Sequence, residues 1–177
     1  LQGRSDLPYV SERPTGVDGP REKDYFRMAK SIRRHTDFSV GFRRQDLTFV
    51  YVKDIVQAVF LGIEKQISRR TYFLADGKVY RSRAFSDRIR KELGKPFVIR
   101  LICSLIILIV VSLLAEYWAK RRNTTSTLNS DKYRIMKQRN WQCDITPTVE
   151  ELGYSPEYDL ERGVKETIAW YKDKGWL

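Results

Sequence analysis

An α/β fold is predicted by three features of this 177-residue chain. The run Leu47–Val52 is β-branched, aromatic or leucine, the composition of a buried strand, and passes directly into Asp54–Ile63, whose apolar residues crowd several faces of a helix. A second run, Arg70–Leu74, has the same strand character and ends in the turn Ala75-Asp76-Gly77. Between Asp24 and His35, Tyr25, Phe26, Met28, Ala29 and Ile32 recur at helical spacings, with Lys30, Arg33 and Arg34 left for solvent. Strands alternating with such helices are the mark of an α/β protein. A hydrophobic content of 42% and an aromatic content of 12% predict a packed core rather than disorder, and the length suits one domain.

The remaining elements follow in order. Leu7–Arg21 reads as a short strand followed by a turn-rich Pro/Gly loop. Phe38–Phe42 is a second short strand. At the head of the helix that starts the βα unit, Asp54 has the chemistry of an N-cap, its carboxylate able to accept from the free N–H groups of the first turn. Tyr80 and Ser82 precede a helix carrying Phe85, Ile89 and Leu93 at i, i+4 and i+8, closed by Gly94 and Pro96. Leu101–Ala115 holds fifteen uncharged residues bounded by Arg100 and Glu116. A spanning helix needs about 20 apolar residues, so the run is expected to be a helix buried in protein or apposed to a membrane. Residues 123–130 form a polar linker, and Asn140–Asp144 a short extended piece. Thr146 is placed as N-cap and Pro147 as first residue of a short helix stopped by Gly153. Asp159 caps a last helix with Leu160, Val164, Ile168 and Tyr171 in one stripe.

The wording of these segments points to a family. Phe49-Val50-Tyr51-Val52-Lys53-Asp54-Ile55-Val56-Gln57-Ala58 resembles the F-[IV]-[HY]-V-x-D-[VIL]-x-x-A signature of the extended short-chain dehydrogenase/reductase family, the NAD-dependent epimerases and dehydratases. Leu7–Arg21 resembles its LPYV-x-[IL]-RP-x-x-VYGPR loop, with Asp18 in place of Tyr and Glu12 in place of an apolar residue. Arg70–Gly77, Asp144–Pro156 and the ending Trp170-Tyr171…Gly175-Trp176-Leu177 match later family segments in the same order. The resemblance covers Leu7 to Leu177. It implies the last strands of a Rossmann-like sheet plus a mostly helical substrate lobe, so residues 1–177 correspond to a C-terminal substrate-binding portion without its dinucleotide-binding domain. The chain's lack of an initiating Met and its ending at Leu177 fit such a piece.

The resemblance also assigns a site. It places Arg13, Pro14, Thr15, Gly16 and Val17 beside the nicotinamide. It places Arg21, Gly41, Arg43, Arg44, Gln45, Leu47 and Arg134 around the substrate. In nucleotide-sugar relatives the Leu47 position carries an arginine that grips the diphosphate; a leucine cannot supply that charge-assisted fork. The Asp18 departure is expected to alter the lining, and the Glu12 departure to put a charge on a buried strand.

No catalytic residue is assigned. Family catalysis requires a Gly-x-x-Gly-x-x-Gly turn seating the cofactor pyrophosphate and a Tyr-x-x-x-Lys pair in which the lysine lowers the phenol pKa. The first is absent, and the second occurs only as Tyr133/Lys137, beyond the substrate signatures. The expected function is therefore the substrate-binding half of an NAD(P)-dependent epimerase/dehydratase or related reductase. Its substrate is a sugar nucleotide or another hydroxyl/keto compound; NAD or NADP belongs to the parent, and the chain alone is inactive. Its partners are the small-molecule substrate and its own N-terminal dinucleotide-binding half, with a homodimer left open.

Charge and cysteines bound the alternatives. Thirty-three Lys+Arg against 22 Asp+Glu give +11, a balance that favours nucleic acid, anionic membrane or phosphorylated ligands. The basic residues are dispersed and no nucleic-acid fold signature occurs, which argues against nucleic acid. A membrane-associated or basic binding module remains the alternative reading, with peripheral contact through 101–115. Cys103 and Cys143 show no pairing pattern, and there is no apolar leader, which predicts a reducing, cytoplasmic setting. One histidine, His35, makes a common metal site unexpected.

Overall fold

The computed structural model describes residues 9–40, 45–103 and 140–177. The chain opens with β1 (Val10–Pro14) and β2 (Gly16–Asp18), then α1 (Lys23–Arg33) and β3 (Thr36–Val40). The two-residue β4 (Asp46–Leu47) is separated by Thr48 from β5 (Phe49–Tyr51), which feeds α2 (Val52–Glu64). There follow β6 (Arg70–Leu74), β7 (Tyr80–Arg81), α3 (Ala84–Glu92) and β8 (Ile99–Cys103). The last described part holds β9 (Asn140–Trp141), α4 (Thr146–Leu152) and α5 (Leu160–Asp173). The fold is α/β, as the alternation of strands and amphipathic helices predicts.

Pairing is mostly parallel and long-range. β1 lies beside β6, β2 beside β5 and β3 beside β8, all parallel; β4 takes β7 antiparallel and β9 parallel. Parallel strands need a crossover, and α1 and α2 with their loops supply it. Phe49, Val50 and Tyr51 are all buried because adjacent strand residues face opposite layers. Phe49 enters a helical core with Ile32 of α1, Phe85 and Ile89 of α3, and Leu160, Val164, Ile168 and Tyr171 of α5. Val50 enters a second core with Ala58, Tyr72, Leu74, Leu152 and Tyr154. The stripe read on α5 is therefore the floor of the first core.

Three expectations are corrected. Asp54 is not the N-cap of α2: the helix begins at Val52 with Tyr51 as its cap, and Asp54 sits in the first turn. Its buried carboxylate instead accepts the backbone N–H groups of Glu157 and Tyr158, at 3.0 and 3.1 Å. Thr146 is the first helical residue of α4 rather than its cap, and Asp144 Oδ1 accepts its N–H at 2.9 Å. The apolar run begins as strand: Leu101–Cys103 belong to β8, paired with Phe38–Val40. β-branched and leucine residues serve either element, and the available partner strand decides. Residues 104–115, the linker 123–130 and Tyr133/Lys137 lie outside the described residues.

Among the other elements, β2 (Gly16–Asp18) forms where only a loop is expected, β3 covers Thr36–Val40 rather than Phe38–Phe42, and Pro147 is the second residue of α4. Asp159 caps α5 by accepting the N–H of Arg162, and the left-handed Gly153 (φ 67°) ends α4. Among the described residues no helix is long and apolar enough to cross a membrane.

Candidate functional site

A cavity of about 620 Å³ opens between the β1–β2 turn and the β4–β9 pair. One wall is Arg13, Pro14, Thr15 and Gly16; the opposite wall is Gln45, Leu47 and Thr48 with Asn140–Cys143. Tyr25, Phe49 and Phe73 complete it. The cavity thus joins residues assigned to the cofactor side and residues assigned to the substrate side.

Each wall is fixed by its neighbours. The Thr15 backbone N–H and hydroxyl both donate to the Leu74 carbonyl, at 3.1 and 3.2 Å, so the loop rides on the end of β6. Its donors are spent on the protein, which leaves the Pro14 ring and the exposed Arg13 side chain to meet a ligand. Gly16 is required by close approach: a Cβ there would lie 2.9 Å from Phe49 Cδ1 and 3.1 Å from the Tyr25 hydroxyl.

The far wall depends on contacts distant in sequence. Leu47 registers with Trp141, and Thr48 Oγ1 donates to the Trp141 carbonyl at 2.7 Å. α4 then clasps the second core. Thr148 Oγ1 donates to the Phe73 carbonyl at 2.7 Å, the Tyr154 hydroxyl to the Ala75 carbonyl at 3.3 Å, and the Tyr72 hydroxyl to Glu151 at 2.6 Å. These bonds hold residues 140–143 across from the loop.

The titratable groups on these walls favour binding over proton abstraction. Burial raises the Cys143 thiol above its ordinary value. Its sulfur lies 3.9 Å from Thr48 Oγ1, whose own hydrogen is engaged by Trp141, so the thiol is the donor and stays protonated. Burial, then the Asp18, Glu22 and Asp24 carboxylates, push the Tyr25 phenol up. It can donate a hydrogen bond but is a poor base at neutral pH. Tyr25 stacks on Phe85 at 4.0 Å, which orients it.

Not every assigned residue meets here. Val17 pairs with Val50 and packs on the second core, and Arg21 is exposed in the turn before α1, with φ 69°. Neither lines the cavity. Gly41, Arg43, Arg44 and Arg134 lie outside the described residues. Asp18 does not line this cavity: it is buried beneath α5, where Thr167 Oγ1 donates to it at 3.2 Å. Glu12 is half-buried on β1, and that burial raises its pKa. Tyr25, Phe73, Trp141 and Cys143 were missed as site residues. Tyr25 reads only as part of an amphipathic face, and no local pattern announces that Trp141 pairs with Leu47.

Among the described residues no group of His, Cys, Asp and Glu is arranged to hold a metal ion. His35 instead stacks on Phe97 with ring centroids 4.7 Å apart.

No family model matches the chain. It is 25% identical over 185 aligned positions to the Escherichia coli protein YbjS, covering 99% of this chain and 53% of that one. It is 20% identical over 176 positions to the decarboxylating sterol-4-alpha-carboxylate 3-dehydrogenase ERG26 of Saccharomyces cerevisiae, covering 94% of this chain and 50% of that one. Among solved structures, UDP-glucuronic acid 4-epimerase from Bacillus cereus in complex with NAD superimposes with a TM-score of 0.69 at 17% identity, covering 95% of this chain and 46% of that one. The chain spans about half the length of the curated relatives it matches. Its fold is the Rossmann-like α/β fold of the solved epimerase and dehydratase structures it superimposes on.

Proposed function

We propose that this chain is the substrate-binding half of an NAD(P)-dependent epimerase, dehydratase or related reductase, inactive without its dinucleotide-binding half. The observation that carries the reading is the shared cavity, bounded by Arg13–Gly16 on one side and by Leu47 and Trp141 on the other. The resemblance of Arg13–Gly16 to the cofactor side of family members, and of Gln45 and Leu47 to their substrate side, gives each wall its role.

The residues present fit one edge of a nicotinamide and no more of the cofactor. Pro14 and Gly16 offer a close, largely apolar surface, and Thr15, tied to Leu74, contributes rigidity rather than hydrogen bonds. No glycine-rich turn opens any described helix, so the pyrophosphate belongs to the other half. When bound, the nicotinamide supplies a hydride acceptor or donor. The chain's own share is to hold the hydroxyl or keto carbon of the substrate against that edge and to exclude water with Leu47, Phe49 and Trp141. The Tyr25 hydroxyl is the polar group that orients it.

The apolar walls and Leu47 favour a substrate with a bulky apolar body over one anchored by a diphosphate. The yeast relative, a decarboxylating sterol-4-alpha-carboxylate 3-dehydrogenase, supports the same choice. Titrating a hydroxysteroid and UDP-glucuronic acid separately into the native polypeptide with NAD, read by tryptophan fluorescence, tests it. A saturable change with the steroid that is lost in Trp141→Phe is expected. A response to the sugar nucleotide alone reverses the substrate choice, and no response to either, in a folded protein, counts against the site.

A further inference from the structure

The β3–β8 pair presents an apolar face to solvent. Its register sets Thr36 against Ile99 and Phe38 against Leu101, so these four side chains share one face. Phe38 is 57% exposed, Ile99 60% and Leu101 45%, and Phe97, just before β8, is 60% exposed. On the other face Arg100 bonds Asp37 and Asp87. A strand pair with its charges turned inward and its apolar side chains outward is the reverse of a solvated edge, and needs a cover.

The border of this patch is cationic. A hollow of about 340 Å³ beside Phe38 is lined by Arg27 and Lys30 from the adjacent flank of α1 and by Arg34, which caps its C-terminus. Lys30 and Arg34 have no carboxylate partner among the described residues, and Arg27 is held only at the surface by Asp24, at 3.3 Å. In sequence, β8 continues into the uncharged run that ends at Ala115 and is followed by Lys120-Arg121-Arg122. Exposed aromatic and aliphatic side chains rimmed by Lys and Arg match the chemistry of an anionic bilayer surface, where apolar groups enter the headgroup layer and cations meet the phosphates.

We propose that the β3–β8 face, with Phe38, Ile99 and Leu101 as its apolar contact and Lys30 and Arg34 as its cationic rim, docks on the surface of a membrane containing anionic lipid. The contact is peripheral and separate from the cavity, so it does not depend on the catalytic reading.

Flotation of the full chain with vesicles tests this, comparing phosphatidylcholine alone with an equal mixture of phosphatidylcholine and phosphatidylserine. The expected result is binding to the mixed vesicles that is roughly tenfold stronger than to neutral ones and weakens with salt. Phe38→Ser with Ile99→Ser, and separately Lys30→Glu with Arg34→Glu, should each reduce binding by roughly tenfold with circular dichroism unchanged. The proposal is overturned if the chain ignores both vesicles or binds them equally. It is equally overturned if both double variants bind like the parent, which would put the contact elsewhere, or if the patch proves to bury itself in a dimer that Phe38→Ser dissociates.

Discussion

The carboxylate of Asp54 accepts the backbone N–H of Tyr158 at 3.1 Å across 104 residues of chain. With the neighbouring bond to Glu157, it ties the start of α2 to the segment that launches α5. Two backbone donors, the buried one of Tyr158 and the part-buried one of Glu157, thus depend on one side chain, and leaving a buried donor unpaired costs about 1–3 kcal/mol. Asp54→Ala should therefore lower stability by roughly 2 kcal/mol or more. Urea unfolding followed by circular dichroism measures it, and a loss too small to detect removes Asp54 from its structural role.

Asp18 makes stability depend on pH. Burial beneath α5 raises its pKa from 3.8 to about 7, against the lowering effect of the Thr167 hydrogen bond. Among the described residues its second oxygen, Oδ2, has no hydrogen-bond partner. Between 3.8 and about 7 the folded chain keeps a proton that the unfolded chain has released. The contribution is therefore fully present below the lower value and is lost as pH rises through the upper one. Asparagine preserves the shape without the charge. Asp18→Asn should match the parent's melting temperature in acid, gain on it as pH rises, and stay more stable above neutrality. Parallel melting curves across that range check this, since the other groups cancel in the difference.

Ile168 is 2% exposed on the inner stripe of α5, against α1 and α3. Ile168→Ala removes buried methyl groups where three helices meet, and should cost about 2–5 kcal/mol. Denaturant unfolding measures it. A cost well below that range would show that the site collapses around the smaller side chain.

Much of this core is legible in the sequence because it is local. The period of α5, the Asp159 cap and the Gly153 stop follow from neighbouring residues, and the structure bears each out. What the sequence conceals is set by distant partners. Asp54 has the right residue type and place for a cap, yet its acceptors are spent on Glu157 and Tyr158. Leu101–Cys103 could enter helix or strand until β3 supplies a partner. In the cavity, Arg13–Gly16, Gln45 and Leu47 are reached through family-like wording, whereas Trp141 and Cys143 arrive by pairing across more than ninety residues.

Gly16 sets the floor of that cavity. A methyl group there meets Phe49 at 2.9 Å, and overpacking of this kind costs typically about 1–3 kcal/mol. Gly16→Ala should lower stability by that order and weaken ligand binding by displacing the Phe49 and Tyr25 rings. Calorimetric melting together with ligand titration separates the two effects. Unchanged binding would mean that the loop does not shape the site.

As proposed, this chain contributes the substrate wall of a nicotinamide-dependent enzyme. The most direct test is nicotinamide-dependent turnover by the native polypeptide purified from its source, measured beside the isolated 177-residue chain. Turnover is expected of the native polypeptide and none of the isolated chain, with a loss of at least about tenfold in kcat/KM on Trp141→Ala, about 1.4 kcal/mol of transition-state binding. A folded native polypeptide that shows no nicotinamide dependence, or whose turnover ignores Trp141→Ala, contradicts the proposal.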